Sequence, residues 1–348
     1  MLKVAIIGGS GYTGSELLRL LLDHPQTEVT AVTSERSSEL PVSDVFLNIR
    51  DTGLKFEALN LKTIVKQADL FFLCLPHGTS QKAVAFFHKK GKKVIDLSAD
   101  YRLKSSKVYK KWYQTDHLFT PLLKKAVYGL PELYRKKIKT ASIVANPGCY
   151  PTSAILGLAP VIKEPFIDSG SIIIDSKSGT SGAGRNPAQP FMFCEANESV
   201  KAYAIAVHRH TPEIEQELSA ISKKNIKVIF TPHLIPMDRG ILSTIYVRLK
   251  NKFSLSDVQK LYRNFYRDEP FVRVLGNNIY PSTKAVKGSN YCDISVFLDK
   301  HSGKNQTLII VSTIDNLIKG ASGTAVHNMN IMYGFEEYTG LSSPSPSP

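Results

Sequence analysis

The stretch "ANPGCYPTS", Ala145 to Ser153, sets one thiol between a helix-breaking Pro147–Gly148 pair and an apolar run that suits a helix. Pro151 is tolerated only in a first helical turn, so the spacing predicts a helix that begins at or just after Cys149. A thiol at that point feels the positive end of the helix dipole and the unpaired N–H groups of the first turn, which lower its pKa and supply thiolate near neutral pH. The same N–H groups can hold the oxyanion formed when sulfur attacks a carbonyl. The plainer alternative is a small apolar side chain buried beside a turn.

A proton carrier for such a thiol stands in "AVHRHTPEIEQEL", where an extended segment gives way to a helix around Thr211 and Pro212. His208 and His210 fall on one face of that segment, and Glu213 follows His210 across the helix start, where a carboxylate can orient an imidazole. Histidine beside a thiol is the usual activating arrangement. Either His210 or His208 can serve as the base.

The third stretch is "VAIIGGSGYTGSELLRLL", a strand, four glycines and a helix. Gly8, Gly11 and Gly14 are spaced G-x-x-G-x-x-G, a variant of the fingerprint that lets backbone approach a pyrophosphate and aims a helix N-terminus at the anion. The second strand ends at "VTSERSS", where an acidic residue would hold the ribose of NAD and Arg or Ser a 2′-phosphate. Glu35 stands between Ser34 and Arg36, but Ser34, Arg36, Ser37 and Ser38 offer several donors, and the reading favours NADP.

The elements that must position these groups fall into two textures. From Leu2 to about Thr140, short apolar runs alternate with helix-period segments, the pattern of a parallel sheet with helices on its faces. Strands are predicted at Leu2–Ile7, Glu28–Thr33, Leu70–Leu75, Lys93–Leu97 and Ser142–Ala145, with helices at Ser15–His24 and Thr79–Lys90. After Cys149, longer alternating runs such as "SIIIDSKSG", "VKAYAIAV" and "ILSTIYVRL" predict a mainly antiparallel sheet beside helices near Thr211–Ile221 and Leu255–Tyr266. The fold class is therefore α/β: a Rossmann-type parallel-sheet domain plus an α+β substrate domain with a mainly antiparallel sheet. The first domain is expected over 1–148, completed by a C-terminal helix segment in 315–338. The catalytic and oligomerisation domain is expected over 149–314, followed by a disordered Pro/Ser tail at 341–348.

The 348 residues are 43% hydrophobic and 21% charged, an ordinary globular balance. No apolar run is long enough to span a bilayer, since "ADLFFLCLP" stops at Pro76, so no membrane partner and a cytoplasmic location are expected. The four cysteines show neither disulfide density nor metal-ligand spacing, and no metal is expected. The net charge of +14 concentrates between His88 and Thr140, with 15 Lys/Arg against 4 Asp/Glu. Those lysines lie on scattered helices and turns without the aromatic interleaving of an RNA module, so a face attracting small anions is preferred over nucleic acid.

The ordered set "GGSGYTGSEL", "LCLPHG", "DLSADYRL", "YGLPEL", "NPGCYPT", "DSKSGTSGAGR", "HRHTPEIEQ", "PHLIPMDRGIL" and "KGASGTAVHNMNIM" closely resembles the N-acetyl-gamma-glutamyl-phosphate reductase family, of the aspartate-semialdehyde dehydrogenase superfamily. The resemblance runs from Leu2 to about Gly334. It implies NADPH-dependent reduction of an acyl phosphate to an aldehyde in arginine biosynthesis, with a small-molecule substrate and a homo-oligomer, dimer or tetramer. It further implies Cys149 as nucleophile, His210 as acid/base and Glu213 as supporting carboxylate. For the cofactor it implies Gly8, Ser10, Gly11, Tyr12, Thr13 and Gly14 at the phosphates, Ser34 and Arg36 at the 2′-phosphate, and Pro76, Ser178, Gly179 and Asn328 elsewhere along it. An anionic substrate needs fixed cations, and Arg102, Lys177, Arg185 and Arg209, with Asn146, are the candidates. A reductase acting on an aspartyl or aminoadipyl phosphate is the nearest rival. A catalytically silent nucleotide-binding protein is the rival of another class.

Overall fold

The computed structural model describes residues 1–49, 52–299, 301 and 306–345. The chain divides into two units, the first comprising Met1–Pro147, Gly184–Asn186 and Ala321–Ser343, the second Gly148–Ala183, Pro187–Gly320 and Pro344–Pro348.

In the first unit, β1 (Leu2–Ile7), β2 (Thr27–Thr33), β3 (Phe56–Glu57), β4 (Leu70–Leu73), β5 (Lys93–Asp96), β6 (Val127–Tyr128) and β7 (Ile143–Ala145) form one sheet. Their order is β3-β2-β1-β4-β5-β7-β6, with parallel pairing throughout the described ladders. Strands covered on both faces read as continuous apolar runs, and Val4 to Ile7 and Leu70 to Leu73 are indeed fully buried. Phe71 stacks on Phe87 of the helix Ser80–Lys89, with ring centroids 3.9 Å apart. The strand order reverses between β1 and β4, which is where an open α/β sheet leaves a crevice for a ligand at its carboxyl edge. The glycine loop follows β1 at that point and leads into the helix Tyr12–Leu22.

The second unit is built on β8 (Ile173–Ser178), β9 (Lys201–Ala202), β10 (Ile229–Leu234), β11 (Ile241–Arg248), β12 (Val272–Val274), β13 (Cys292–Asp299) and β14 (Thr307–Ile314). Their order is β12-β13-β14-β11-β8-β10-β9, mostly antiparallel, with parallel pairs between β8 and β10 and between β12 and β13. Across its inner face lies the helix Cys149–Leu158, buried at every position after its first. Gly157 lets helix and sheet approach, since a Cβ there would stand 2.8 Å from Cδ1 of Ile245. One turn beyond Cys149, the Ser153 hydroxyl meets those of Ser243 and Ser312 at 3.0 and 3.2 Å, and Ser243 meets Ser176 at 2.7 Å. This buried line of hydroxyls is fully hydrogen-bonded, as burial demands.

One expectation shifts. "VKAYAIAV" yields only the short β9, after which Ala204 and Ala206 take left-handed backbone, φ 45° and 60°, and the chain turns away. The closing helix runs over Gly323–Tyr333, inside the expected 315–338 segment, and is preceded by a π-helical turn, Ile318–Ser322. The tail expected at 341–348 reaches beyond the described residues.

Candidate active site

The helix carrying the thiol starts at Cys149 itself, with Gly148 as N-cap and no side chain capping its first turn. The helix Thr211–Ser222 starts directly after His210, which occupies its N-cap position. A hydrogen bond joins these two starts: the Gly148 N–H donates to Oε1 of Glu213 at 2.9 Å, and Glu213 is buried. The carboxylate therefore holds the backbone that presents the sulfur, a role the local sequence, which pairs Glu213 with His210, does not suggest.

Around the thiol sits a ring cluster that spacing alone does not reveal. Tyr150 packs edge-on against His208, His210 and Phe230 at centroid distances of 5.5, 5.9 and 5.3 Å. Its hydroxyl lies 3.0 Å from that of Tyr203. His208 accepts the His210 N–H on Nδ1 at 3.1 Å, which in the neutral ring leaves the proton on Nε2. Burial, with the Arg209 charge adding to it, pushes the His208 pKa down to about 4, so this ring is neutral near pH 7. Burial raises Tyr203 to about 12. Arg209, between the two histidines in sequence, is solvent-exposed.

Opposite the helix start, the π-helical turn closes on the thiol. A Cβ on Gly320 would stand 2.7 Å from the Cβ of Cys149 and 3.3 Å from Cδ1 of Ile314, so only glycine fits. That turn is fixed by Asp315, whose carbonyl accepts the Gly320 N–H at 2.9 Å and whose buried carboxylate accepts N–H groups of Gly288, Leu317 and Ile318. Asn316 next to it accepts the Gly240 N–H at 2.7 Å and donates to Ser181 at 2.9 Å. Gly179 is pressed against this assembly, since a Cβ there would meet the Asp238 carbonyl oxygen at 2.6 Å. Ser178 is buried and donates to the Gly179 carbonyl at 3.0 Å.

Lys177 lies on the other face of β8 from Ser176 and Ser178, following the two-residue period of a strand, and pairs with Asp175 at 2.5 Å.

The first unit contains a cradle of the kind a dinucleotide requires. Gly8 has φ +79°, a Cβ on Gly14 would collide with the Gly9 carbonyl oxygen at 2.2 Å, and Gly11 faces open space. No side chain caps the helix that follows, which leaves its first N–H groups to an anion. Thr13 is tied down through its carbonyl, which accepts the Ser322 hydroxyl at 2.8 Å. Ser34 donates to Ser10 at 2.8 Å, and Glu35 turns aside to accept the Leu59 N–H at 3.2 Å. Arg36 Nη1 donates to Asn186 Oδ1 at 2.6 Å. Arg185, a substrate candidate by sequence, instead lies against this loop, donating to the Ser10 carbonyl at 3.2 Å and standing over the Phe46 ring at 5.1 Å.

Asn328 is fully buried, donates to the Gly129 carbonyl at 2.9 Å and to Asn146 Oδ1 at 3.1 Å, and its own Oδ1 has no donor among the described residues. An orphaned acceptor there fits a carboxamide donor such as nicotinamide carries. Pro76 begins a turn in which its carbonyl accepts the Thr79 hydroxyl at 2.6 Å. The buried Arg102 holds the carbonyls of Asn146 and Leu97, each at 2.7 Å, and so fixes the backbone that runs toward Pro147. Cys74 is a different thiol: burial, then the nearby Asp96, raises it to about 12.

All four cysteines are free thiols. Among the described residues no helix is long and apolar enough to cross a membrane, and no cluster of three or more potential ligands could hold a metal ion.

Comparison with known proteins matches residues 3–141 to the semialdehyde dehydrogenase NAD binding domain and residues 149–316 to the semialdehyde dehydrogenase dimerisation domain. The chain is 54% identical over 345 residues to the N-acetyl-gamma-glutamyl-phosphate reductase of Geotalea daltonii, covering 99% of each chain. It is 49% identical to that of Pelotomaculum thermopropionicum, again over 99% of each. Among solved structures, aspartate semialdehyde dehydrogenase II of Vibrio cholerae superposes with a TM-score of 0.72 at 15% identity, over 96% of this chain and 98% of that one. The Candida albicans aspartate semialdehyde dehydrogenase with NADP gives 0.69 at 15%, over the same shares.

Proposed function

The chain belongs to the N-acetyl-gamma-glutamyl-phosphate reductase family, and from that premise we propose that it reduces N-acetyl-L-glutamyl 5-phosphate to N-acetyl-L-glutamate 5-semialdehyde with NADPH, releasing phosphate, as a step of arginine biosynthesis in the cytoplasm. The observation that carries the reading is the bond from Gly148 to Glu213, which ties the helix start at the thiol to the helix start at His210.

In this reading the Cys149 thiolate attacks the γ-acyl carbon, a C–S bond forms and the C–O bond to phosphate breaks, leaving a thioester on the enzyme. The N–H groups of Cys149 and Tyr150 at the helix start would stabilise the oxyanion of that attack. NADPH, when held by the Gly8–Gly14 loop, would supply the hydride that reduces the thioester to a hemithioacetal. His210 donates the proton this oxygen needs and recovers it as the C–S bond breaks, freeing the aldehyde and the thiolate. His208, neutral near pH 7, serves in this scheme to orient His210 rather than to exchange the proton.

The NADPH preference is inferred from Ser34 and Arg36, which would meet a 2′-phosphate, while Glu35 is engaged by the Leu59 N–H. Gly8, Ser10, Gly11, Tyr12, Thr13 and Gly14 would hold the phosphates, and Asn328 the carboxamide. Pro76, Ser178 and Gly179 complete the proposed cofactor contacts, and the position of Arg185 against the Ser10 carbonyl favours adding it to them. For the substrate we keep Arg209 and Asn146 as contacts, with Arg102 acting through the Asn146 carbonyl that it holds. Lys177, on the outer face of β8, is the weakest of the five candidates. A homodimer or tetramer assembled through the second unit accords with the matched dimerisation domain.

Incubation with NADP, phosphate and N-acetylglutamate semialdehyde tests the reading. NADPH formation is expected; activity confined to aspartate or aminoadipate semialdehyde would overturn it.

A further inference from the structure

We propose that Asn290 recognises the acylamino group of the substrate, its side-chain carboxamide pairing with the substrate amide; the inference rests on the reductase reading above. Asn290 is 1% exposed, and among the described residues neither its Oδ1 nor its Nδ2 has a hydrogen-bond partner. Burying both ends of a carboxamide unpaired forfeits the full solvation of a donor and an acceptor, a cost an apolar residue of similar size would avoid. Such a group is retained where something that arrives later completes it.

Its position in the second unit points to what arrives. Asn290 lies two residues before Cys292, which opens β13 and pairs with Ile314 at the end of β14. The side chain of Ile314 and that of Cys149 both flank Gly320. The loop is tied to the same turn a second time: the Gly288 N–H donates to the Asp315 carboxylate at 2.7 Å, and the Gly320 N–H donates to the Asp315 carbonyl at 2.9 Å. The loop that carries Asn290 and the turn that presses on Cys149 are thus anchored by the same residue, Asp315. Four bonds of about 1.5 Å separate the substrate's reacting carbonyl carbon from its amide nitrogen, a span on the order of 5 Å.

The chemistry fits an amide on both sides. Oδ1 accepts the substrate N–H, while Nδ2 donates to its acyl oxygen or to the neighbouring carboxylate. The buried Lys319 adds a cation to the neighbourhood: its Nζ lies 5.6 Å from the ring centre of Phe271, whose carbonyl accepts the Cys292 N–H at 2.8 Å.

The test compares two aldehydes, N-acetylglutamate semialdehyde and glutarate semialdehyde, the same chain without the acetamido group, each assayed with NADP and phosphate. In Asn290→Ala, kcat/KM for the acetylated aldehyde is expected to fall by about 30- to 300-fold and that for the truncated aldehyde by less than about threefold, because a site built around a polar partner discriminates strongly against its loss. Asn290→Asp, which keeps size and one acceptor, should show the same collapse of preference, and it provides the measurement should the alanine variant not fold. Inhibition constants for N-acetyl-L-glutamate and glutarate supply the same ratio where turnover of the truncated aldehyde is slow. A preference unchanged in both variants would overturn the role of Asn290 while leaving the reductase reading intact. Wild-type protein that binds NADP but oxidises neither aldehyde would overturn the reductase reading, and this inference with it.

Discussion

Glu213 accepts the backbone N–H of Gly148 at 2.9 Å across 65 residues of sequence. Removing the acceptor strands a buried N–H, at about 1–3 kcal/mol. Glu213→Ala should lose stability of that size in urea unfolding and alkylate more slowly at Cys149 with iodoacetamide. Glu213→Gln keeps an amide oxygen for Gly148 and should stay within about 1 kcal/mol of wild type. Equal losses in both variants would assign the effect to the charge instead.

Cys149→Ser tests the nucleophile itself. Activity should fall by at least about 10³-fold, the order seen when a covalent nucleophile is lost, while NADPH titration by fluorescence is unchanged. Mass spectrometry of the wild-type protein mixed with acyl phosphate, without reduced cofactor, should find the acyl adduct on Cys149. An adduct on Cys74 is not expected, since burial and Asp96 keep that thiol protonated up to about pH 12.

Gly320→Ala places a methyl group where 2.7 Å separates it from the Cβ of Cys149, so the sulfur must move. Displacement of a reacting atom by about 1 Å costs on the order of 10²-fold in rate. We expect kcat to fall by about 10- to 100-fold, with NADPH affinity retained; a wild-type kcat would show that the turn yields instead.

Arg36→Ala should lower the ratio of kcat/KM for NADPH over NADH by about 10-fold or more, the worth of one charge-assisted hydrogen bond to a phosphate. Because Glu35 is engaged by the Leu59 N–H, Glu35→Gln should change that ratio far less. Similar shifts in both would mean that the acidic residue faces the ribose.

Burial by itself would raise the Glu337 carboxyl, but hydrogen bonds and charge from His327 and Arg135 outweigh it and hold the group down at about 2, against an ordinary value of 4.5. Arg135 Nε donates to it at 2.7 Å, and His327 Nε2 lies 2.6 Å away. A carboxyl depressed on folding contributes its full stability above about pH 4.5 and loses it as pH falls toward 2. Glu337→Gln should therefore cost about 1–2 kcal/mol at pH 7 after allowance for partial exposure, and the gap to wild type should close in acid.

The parallel sheet was legible because its strands are apolar runs separated by helix-period segments, and the Cys149 helix because Pro147, Gly148 and Pro151 mark its start. "VKAYAIAV" misled because alternation describes a strand only where a neighbour pairs with it, and past Ala202 the backbone turns left-handed. Arg185 follows a glycine-rich segment whose course no local rule fixes. The period of β8 could have set Lys177 apart from Ser176 and Ser178. Glu213 illustrates a deeper limit: its neighbour in sequence is His210, but it also accepts the Gly148 N–H at the start of another helix. Nothing in "GSNYC" marks Asn290, since an unsatisfied carboxamide is visible only once the surrounding fold has failed to satisfy it.

The hydroxyl line from Ser153 through Ser243 to Ser176 makes the sheet a ruler for the thiol. An oily helix–sheet contact has many nearly equivalent docking positions, and side chains slide between them. Hydroxyl bonds have direction and short reach, so a shift of one residue would break several at once. The sulfur, one helical turn from Ser153, thus takes its coordinates from strands in the middle of the sheet rather than from the loop before it.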